Sequence, residues 1–385
     1  MIEKEKENDM AEKSKVFFAD FRCPTWRENL PQKLARLMMT AGFGDIDMED
    51  KYVAIKMHFG EPGNLAYLRP NWAKVVADLV KDKGGKPFLT DCNTLYVGGR
   101  KNALDHIESA YVNGFTPYST GCHILIADGL KGNDEVEVPV EGGEYVKAAK
   151  IGRAVMDADV FISLTHFKGH EQAGMGGALK NIGMGCGSRA GKMEMHSQGK
   201  PAVKFDKCVC CRVCGKNCAH GAISYDSGKA RIDEGRCLGC GRCIAVCPMD
   251  AIVPQWDEAC EVLNCKIAEY TKAVVDGRPC FHINLVADVS PNCDCEDCND
   301  LPIIPDVGMF ASFDPIALAQ ACVDAVNAQE VNRGSILDDI AREAGLEAPR
   351  SDYFKMIHPD TCWQAGLEHG EKLGLGIREY ELVKI

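Results

Sequence analysis

Long apolar runs are missing from this chain of 385 residues. A bilayer span needs about 20 consecutive apolar residues, and no segment supplies them, so no membrane span is expected. Surplus positive charge is missing as well. Lys and Arg number 44 against 56 Asp and Glu, a formal net charge of −12. Nowhere do basic residues and aromatics interleave in a stripe, so nucleic acid is not expected as a partner. The acidity itself serves either solubility or docking to a basic patch on a partner protein. Aromatics are sparse at 7%, and Trp26, Trp72, Trp256 and Trp363 are scattered, as packing residues are. Met1 to Lys15 is a run of Glu, Lys, Asn and Asp without the apolar stretch of a secretory leader. Residues 1–14 are expected to be disordered, and the protein to be cytoplasmic.

Cysteine, by contrast, is abundant: 21 residues, eight of them in two runs of one design. The first is Cys208-x2-Cys211-x2-Cys214-x3-Cys218; the second is Cys237-x2-Cys240-x2-Cys243-x3-Cys247, followed by Pro248. This is the ligand spacing of a bacterial two-cluster ferredoxin. The x2 steps let three thiolates of one loop reach three irons of a single cube, and the x3 step sends the fourth to the other cube. Cys208, Cys211, Cys214 and Cys247 are therefore expected to hold one 4Fe–4S cluster. Cys218, Cys237, Cys240 and Cys243 are expected to hold a second. A structural zinc site takes four ligands, usually as two separated pairs, and fits triplets with a remote fourth poorly. Cys210 is superfluous to the pattern. Without a leader, the remaining thiols are expected to be reduced rather than paired in disulfides. Exposed cubanes degrade in oxygen, which points to an anaerobic host.

Around this module the chain alternates strand and helix. Val16–Ala19, Tyr52–Phe59, Lys86–Cys92, His123–Ala127, Val160–Leu164 and Phe281–Ala287 read as strands, and the segments at 29–42, 71–83, 101–112, 258–275 and 314–328 as helices. The expected fold is α/β, a largely parallel-sheet domain interrupted by a small α+β two-cluster ferredoxin domain, with a helical C-terminal appendage. The expected parts are 15–200 and 256–334 for the α/β domain, 201–255 for the insertion and 335–385 for the appendage, which ends in a strand at 380–385.

Residues 169–200 break the rhythm and read as a long Gly- and Met-rich loop leaving a buried strand, where α/β sheets place their ligand crevices. Between Thr165 and His196 crowd three His, several basic residues and Cys186. Lys180 and Lys168 are candidates for anion binding and His170 for proton transfer. Gly187-x3-Gly191-Lys192 is one residue short of a phosphate loop and lacks its Ser or Thr. A second thiol group, Cys293-Asp-Cys295-Glu-Asp-Cys298, follows the strand at 281–287. With Cys186 and His196 it is a candidate for a further metal or a third cluster, the alternative being a thiol-rich acidic turn. His58, Asp91 and Asn93 end successive strands and face the same crevice if the sheet is parallel, although each singly reads as structural. His106, on a helix, reads as a packing residue.

The segments 93–106, His166-Phe-Lys-Gly-His-Glu171, Gly176-Gly-Ala-Leu-Lys-Asn-Ile-Gly-Met-Gly-Cys186 and Ser290-Pro-Asn-Cys-Asp-Cys295 resemble the DUF362 family of iron–sulfur proteins over most of residues 15–330. That resemblance implies a ferredoxin insertion at this place and an electron-transfer role. More locally, His170, Lys180 and His196 are similar in spacing to the loop of nickel-pincer lactate racemases. There the matching Lys tethers the cofactor, the later His binds nickel and the earlier His is an acid/base. The expectation is an oxidoreductase that takes electrons from a ferredoxin-, flavodoxin- or reductase-like partner, through two cubes, into the crevice. The alternatives are a metal-dependent non-redox enzyme and a carrier without a substrate.

Overall fold

The computed structural model describes residues 13–196, 199–345 and 352–385. Of the amino-terminal segment expected to be disordered, residues 1–12 lie outside the described residues, and Ser14 already begins a strand. An eight-stranded sheet forms the frame: β1 (Ser14–Asp20), β2 (Tyr52–Lys56), β3 (Lys86–Asp91), β4 (His123–Ile126), β5 (Val160–His166), β6 (Cys280–Val286), β7 (Gly308–Ser312) and β8 (Tyr380–Lys384). The strand order is β8-β1-β7-β6-β5-β2-β3-β4. All neighbours are parallel except β7, which runs antiparallel to β1 and β6.

All seven residues of β5 are buried, as a central strand covered on both faces requires. Val160, Ile162 and Leu164 point to one face, with Leu34, Leu37, Val76 and Val80 from the helices Leu30–Thr40 and Pro70–Asp82. Phe161 points to the other, with Ile182, Leu263, Ile267 and Leu318 from the helices Ala178–Cys186, Cys260–Val275 and Pro315–Asn327. The helix starts are chemically marked. Asn29 and Gln32 form a reciprocal capping box, and Asp314 accepts from the amides of Ile316 (2.8 Å) and Ala317 (2.9 Å).

The stretch read as a long loop is instead mostly regular. Lys168–His170 and Gly174–Gly176 pair as a short hairpin, and Ala178–Cys186 and Arg189–His196 are helices. Its glycines mark close contact rather than looseness. A Cβ on Gly183 would stand 2.2 Å from the Ile267 carbonyl oxygen, and one on Gly191 would stand 2.5 Å from that of Lys150. Strand β7 also escapes the sequence pattern, because Pro302 and Pro305 precede it and its residues read as a rigid exit toward Asp314. The hairpin Glu135–Pro139/Ala148–Gly152 is a further element that the pattern does not announce. The last segment is joined to the frame: β8 pairs in parallel with β1, and the helix Trp363–Lys372 packs on Cys260–Val275.

Between Pro201 and Pro254 the chain leaves the sheet. Pro201–Val203 pairs with Ile252–Pro254 and closes a small unit with one further strand pair and two four-residue helices. Leu95 and Met193 from the α/β part enter its apolar core beside Cys208, Cys214, Cys247 and Ile244. Lys101 bonds Asp250 across the junction at 2.8 Å.

Gly183→Ala drives a methyl into the backbone of the neighbouring helix. Chemical denaturation followed by circular dichroism is expected to show a loss of about 1–3 kcal/mol, the usual cost of overpacking.

Candidate functional site

The carboxyl ends of the parallel strands open onto a crevice of about 480 Å³. In open α/β sheets that edge is where ligands bind. At its floor lie two charges taken almost wholly out of water. Lys56, the last residue of β2, is 3.0 Å from Asp91, the last of β3, and both side chains are under 5% exposed. Lys56 Nζ also donates to Asn181 Oδ1 at 2.8 Å, while Asn181 Nδ2 donates to Thr165 Oγ1 at 2.9 Å. One amide thus ties the helix Ala178–Cys186 to β2 and β5. Burial raises the Asp91 carboxyl, but Lys56 and His106 outweigh it and hold the group well below the usual carboxylate range. Arg100 stands 3.6 Å from the same carboxylate and 2.8 Å from Glu61.

The opposite wall is the turn at 293–298. Asp294, fully buried, binds His166 Nδ1 at 2.9 Å and faces Lys168 at 3.6 Å. On either side of it, Cys293 and Cys295 come together with His170: the two sulfurs and a ring nitrogen lie within 4.8 Å of one another. Lys180 Nζ donates to Cys293 Sγ at 3.3 Å. Burial pushes the Cys293 thiol up, yet the hydrogen bond from Cys295 and the charges of Lys180 and Lys168 prevail and pull it well down. Cys295 is pushed up by the same hydrogen bond and by burial. Lys180 is lowered by burial but raised further by Cys293 and Cys295, and it stays an ammonium.

The histidines are poised differently. His170 Nδ1 accepts from the amides of Gln172 and Ala173, both at 3.1 Å. Its neutral ring therefore carries the hydrogen on Nε2. His58 Nδ1 accepts from Gly60 N at 3.0 Å, and burial with Arg100 pushes His58 well below its ordinary value. His196 packs edge-on against Trp256 with ring centroids 4.7 Å apart. Its Nδ1 is buried without a hydrogen-bond partner among the described residues, and burial, then His170 and Lys180, push it well down.

His58, Asp91, Lys168, His170, Lys180 and His196 thus share one crevice, which Cys295 also lines with Cys293 next to it. Two candidates do not join them. Cys186 is fully buried in the apolar core with Ile182 and Ile267, because it closes the inner face of a helix rather than sitting on a loop. Cys298 is exposed beyond the turn, where its carbonyl accepts from Asn64. Asn93 turns away to bond Asp128 at 2.7 Å, and His106 is a buried packing residue against Phe59. Sequence reasoning missed Lys56, Arg100 and Trp256 as crevice residues. A Lys ending an otherwise apolar strand was the available signal for Lys56.

In the small unit, Cys208, Cys211, Cys214 and Cys247 surround one cavity and Cys218, Cys237, Cys240 and Cys243 another. These are the two quartets drawn from the spacing, each closed by the remote cysteine of the other run. Ala230 N donates to Cys208 Sγ, Ala222 N to Cys218 Sγ and Ala251 N to Cys247 Sγ, at 3.3–3.4 Å. Amides aimed at sulfur suit thiolates that carry a cluster, so the donor set fits iron–sulfur cubes. Cys210 stands beside the first cavity in a left-handed conformation (φ 54°).

Fold and site together define a class: an α/β protein with a crevice at the carboxyl edge of its sheet, joined to a ferredoxin-type unit. Residues 53–324, most of the chain, match the family model described as domain of unknown function (DUF362), and the protein belongs to that family. Over 151 residues it is 30% identical to the thylakoid-associated protein sll1697 of Synechocystis, covering 37% of this chain and 41% of that protein. Over 59 residues it is 42% identical to a subunit of the ion-translocating oxidoreductase complex of Methanosarcina acetivorans, 15% of this chain and 22% of that one. The chain thus spans less than half the length of either relative. Among solved structures, the lactate racemase apoprotein of Thermoanaerobacterium thermosaccharolyticum aligns with a TM-score of 0.34 at 12% identity, over 71% of this chain and 51% of that one. No residue role is carried across at that level.

Because the Asp91 carboxyl is depressed in the folded protein, its stabilisation is complete above the unfolded value of about 4 and is lost as pH falls through the lowered one. Asp91→Asn leaves Lys56 buried without its counter-ion. Urea denaturation at pH 7 is expected to show a loss of about 3–5 kcal/mol, shrinking as the pH is taken below 4.

Proposed function

We propose that the protein is an iron–sulfur redox protein of the cytoplasm, holding two 4Fe–4S clusters, that links a one-electron carrier to a substrate in the crevice. The observation that carries this is the shared wall. Leu95 lines the crevice and at the same time packs in the core around Cys208, Cys214 and Cys247. Leu95 is thus shared between the crevice wall and the apolar core of the cysteine unit. Eight thiolates in two quartets would hold the cubes, which when bound supply one-electron storage and transfer. No helix among the described residues is long and apolar enough to cross a membrane.

The chain's own groups have separable tasks. Lys180, an ammonium facing the crevice, attracts an anionic substrate group. His170, with Nδ1 occupied by two amides, offers Nε2–H for proton transfer. Lys168 is kept in place by Asp294. Lys168 and His170 are buried and Lys180 is half-buried, so their charges and dipoles are only weakly screened by water.

Charge also speaks to the carrier. The chain as a whole is acidic, which suggested a basic partner. The face around the first quartet is the opposite: between residues 204 and 231 stand Lys204, Lys207, Arg212, Lys216, Lys229 and Arg231, against only Asp206 and Asp226. All of these basic residues but Lys229 are exposed, and exposed Val209 and Cys211 lie among them. An acidic flavodoxin- or ferredoxin-like protein fits this face.

Anaerobically purified protein is expected to hold about eight iron and eight sulfide per chain, and Cys211→Ser or Cys240→Ser to lower the iron to about four, with EPR after dithionite showing which signal is lost. Stoichiometric nickel would instead favour a metal-dependent non-redox enzyme. In stopped flow, reduction by an acidic flavodoxin is expected to slow as salt is added, and Lys207→Glu with Arg212→Glu to slow it about tenfold at low salt. A rate that rises with salt would remove the acidic carrier from the proposal.

A further inference from the structure

We propose that Cys293 and Cys295 are a redox-active pair, cycling between a dithiol and a Cys293–Cys295 disulfide, and that the crevice admits a small disulfide as substrate. The two sulfurs lie within 4.8 Å of each other, and the turn that carries them is pinned. Cys293 N donates to Glu171 Oε1 at 2.9 Å, Glu61 N donates to the Asp294 carbonyl oxygen at 2.9 Å, and the Asp294 carboxylate is tied to His166. Asp294 is thereby turned away, which leaves the thiols on both sides of it free to face each other. Cys295 lines the crevice, whereas Cys293 stands behind it against Lys180.

The same neighbours argue against a metal ion shared by Cys293, Cys295 and His170. His170 spends its Nδ1 lone pair on two amides, so its Nε2 is protonated and has no lone pair for a metal. The Lys180 ammonium already lies 3.3 Å from the Cys293 sulfur, where it supports a thiolate and repels a cation. A thiolate beside a cation, with a second thiol in reach, is the arrangement of a dithiol that exchanges.

The reaction balances. Reduction breaks the S–S bond with two electrons and one proton, leaving one thiolate held by Lys180 and one thiol. Two one-electron iron–sulfur donors are required. The two quartets would hold that number, so the inference rests on the function proposed above. In the return step the proton of the pair passes from Cys295 to Cys293, the Cys295 thiolate attacks one sulfur of the substrate disulfide, and the departing thiolate is protonated from solvent. Cys293 then displaces the second sulfur and closes the S–S bond. The two product thiols take the proton of the pair and one from solvent.

The test uses the intact cluster-loaded protein under argon. After oxidation with diamide, denaturation and alkylation, mass spectrometry is expected to find a peptide with Cys293 linked to Cys295. In a reductive titration the wild type is expected to take up about four electrons per chain, Cys293→Ser and Cys295→Ser about two, and Cys298→Ser as many as the wild type. EPR of each variant verifies that the clusters are assembled. Equal uptake by wild type and Cys295→Ser, with residues 293 and 295 both alkylated as free thiols, overturns the proposal. So does a metal beyond the cluster iron that the wild type retains and Cys295→Ser loses. If iron is absent altogether but the linked peptide is found, the pair stands and the cluster function falls.

Discussion

Everything at the functional edge of this protein is arranged around charge that has been taken out of water. Lys56 and Asp91 are the last residues of two neighbouring parallel strands, and parallel pairing in register brings them side by side. Neither can be buried alone, since an unpaired ion in such surroundings costs several kcal/mol. The pair therefore has to be completed, and the rest of the crevice completes it. Asn181 caps Lys56, while Arg100 and His106 flank Asp91. A second buried set, His166 and Lys168 around Asp294, repeats the solution across the opening. Between the two sets lie Lys180, His170, His196 and the sulfurs of Cys293 and Cys295.

The join between sheet and cysteine unit follows from the same economy of space. Leu95 leaves β3 and Met193 comes from the last helix before the unit, and both enter its core. Arg189, buried, reaches across with its guanidinium to the Thr94 carbonyl at 2.7 Å and stands against Gly241 of the second cysteine loop. A Cβ at Gly241 would meet the Arg189 side chain at 2.8 Å, so the loop packs directly on that side chain. The unit is thus built into the rim of the crevice instead of swinging from a linker.

Much of this was legible in the chain. The strands read at Val160–Leu164 and Phe281–Ala287 announced themselves as short apolar runs. Where the reading failed, the causes were physical. Gly183, Gly185 and Gly191 weaken any helical pattern, yet here they are in helices because a neighbour's backbone or side chain occupies the place of a Cβ. Cys186 looked like a ligand because a loop was expected around it; in a helix its side chain points into the core. Gly308–Ser312 is too short and too close to two prolines to read as a strand, and becomes one only because β1 and β6 offer it an edge on each side.

The sequence by itself determined the grouping of eight cysteines into two quartets, because x2 steps keep three thiols in one tight loop and the x3 step carries the fourth away. It also determined the α/β rhythm, since apolar periodicity is a local property. Only the tertiary structure decided the membership of the crevice. Lys180 meets Cys293 across 113 residues, and Lys56 meets Asn181 across 125. Such meetings depend on strand order and on which face each helix presents, and those are settled by packing the whole chain at once rather than by any stretch of it.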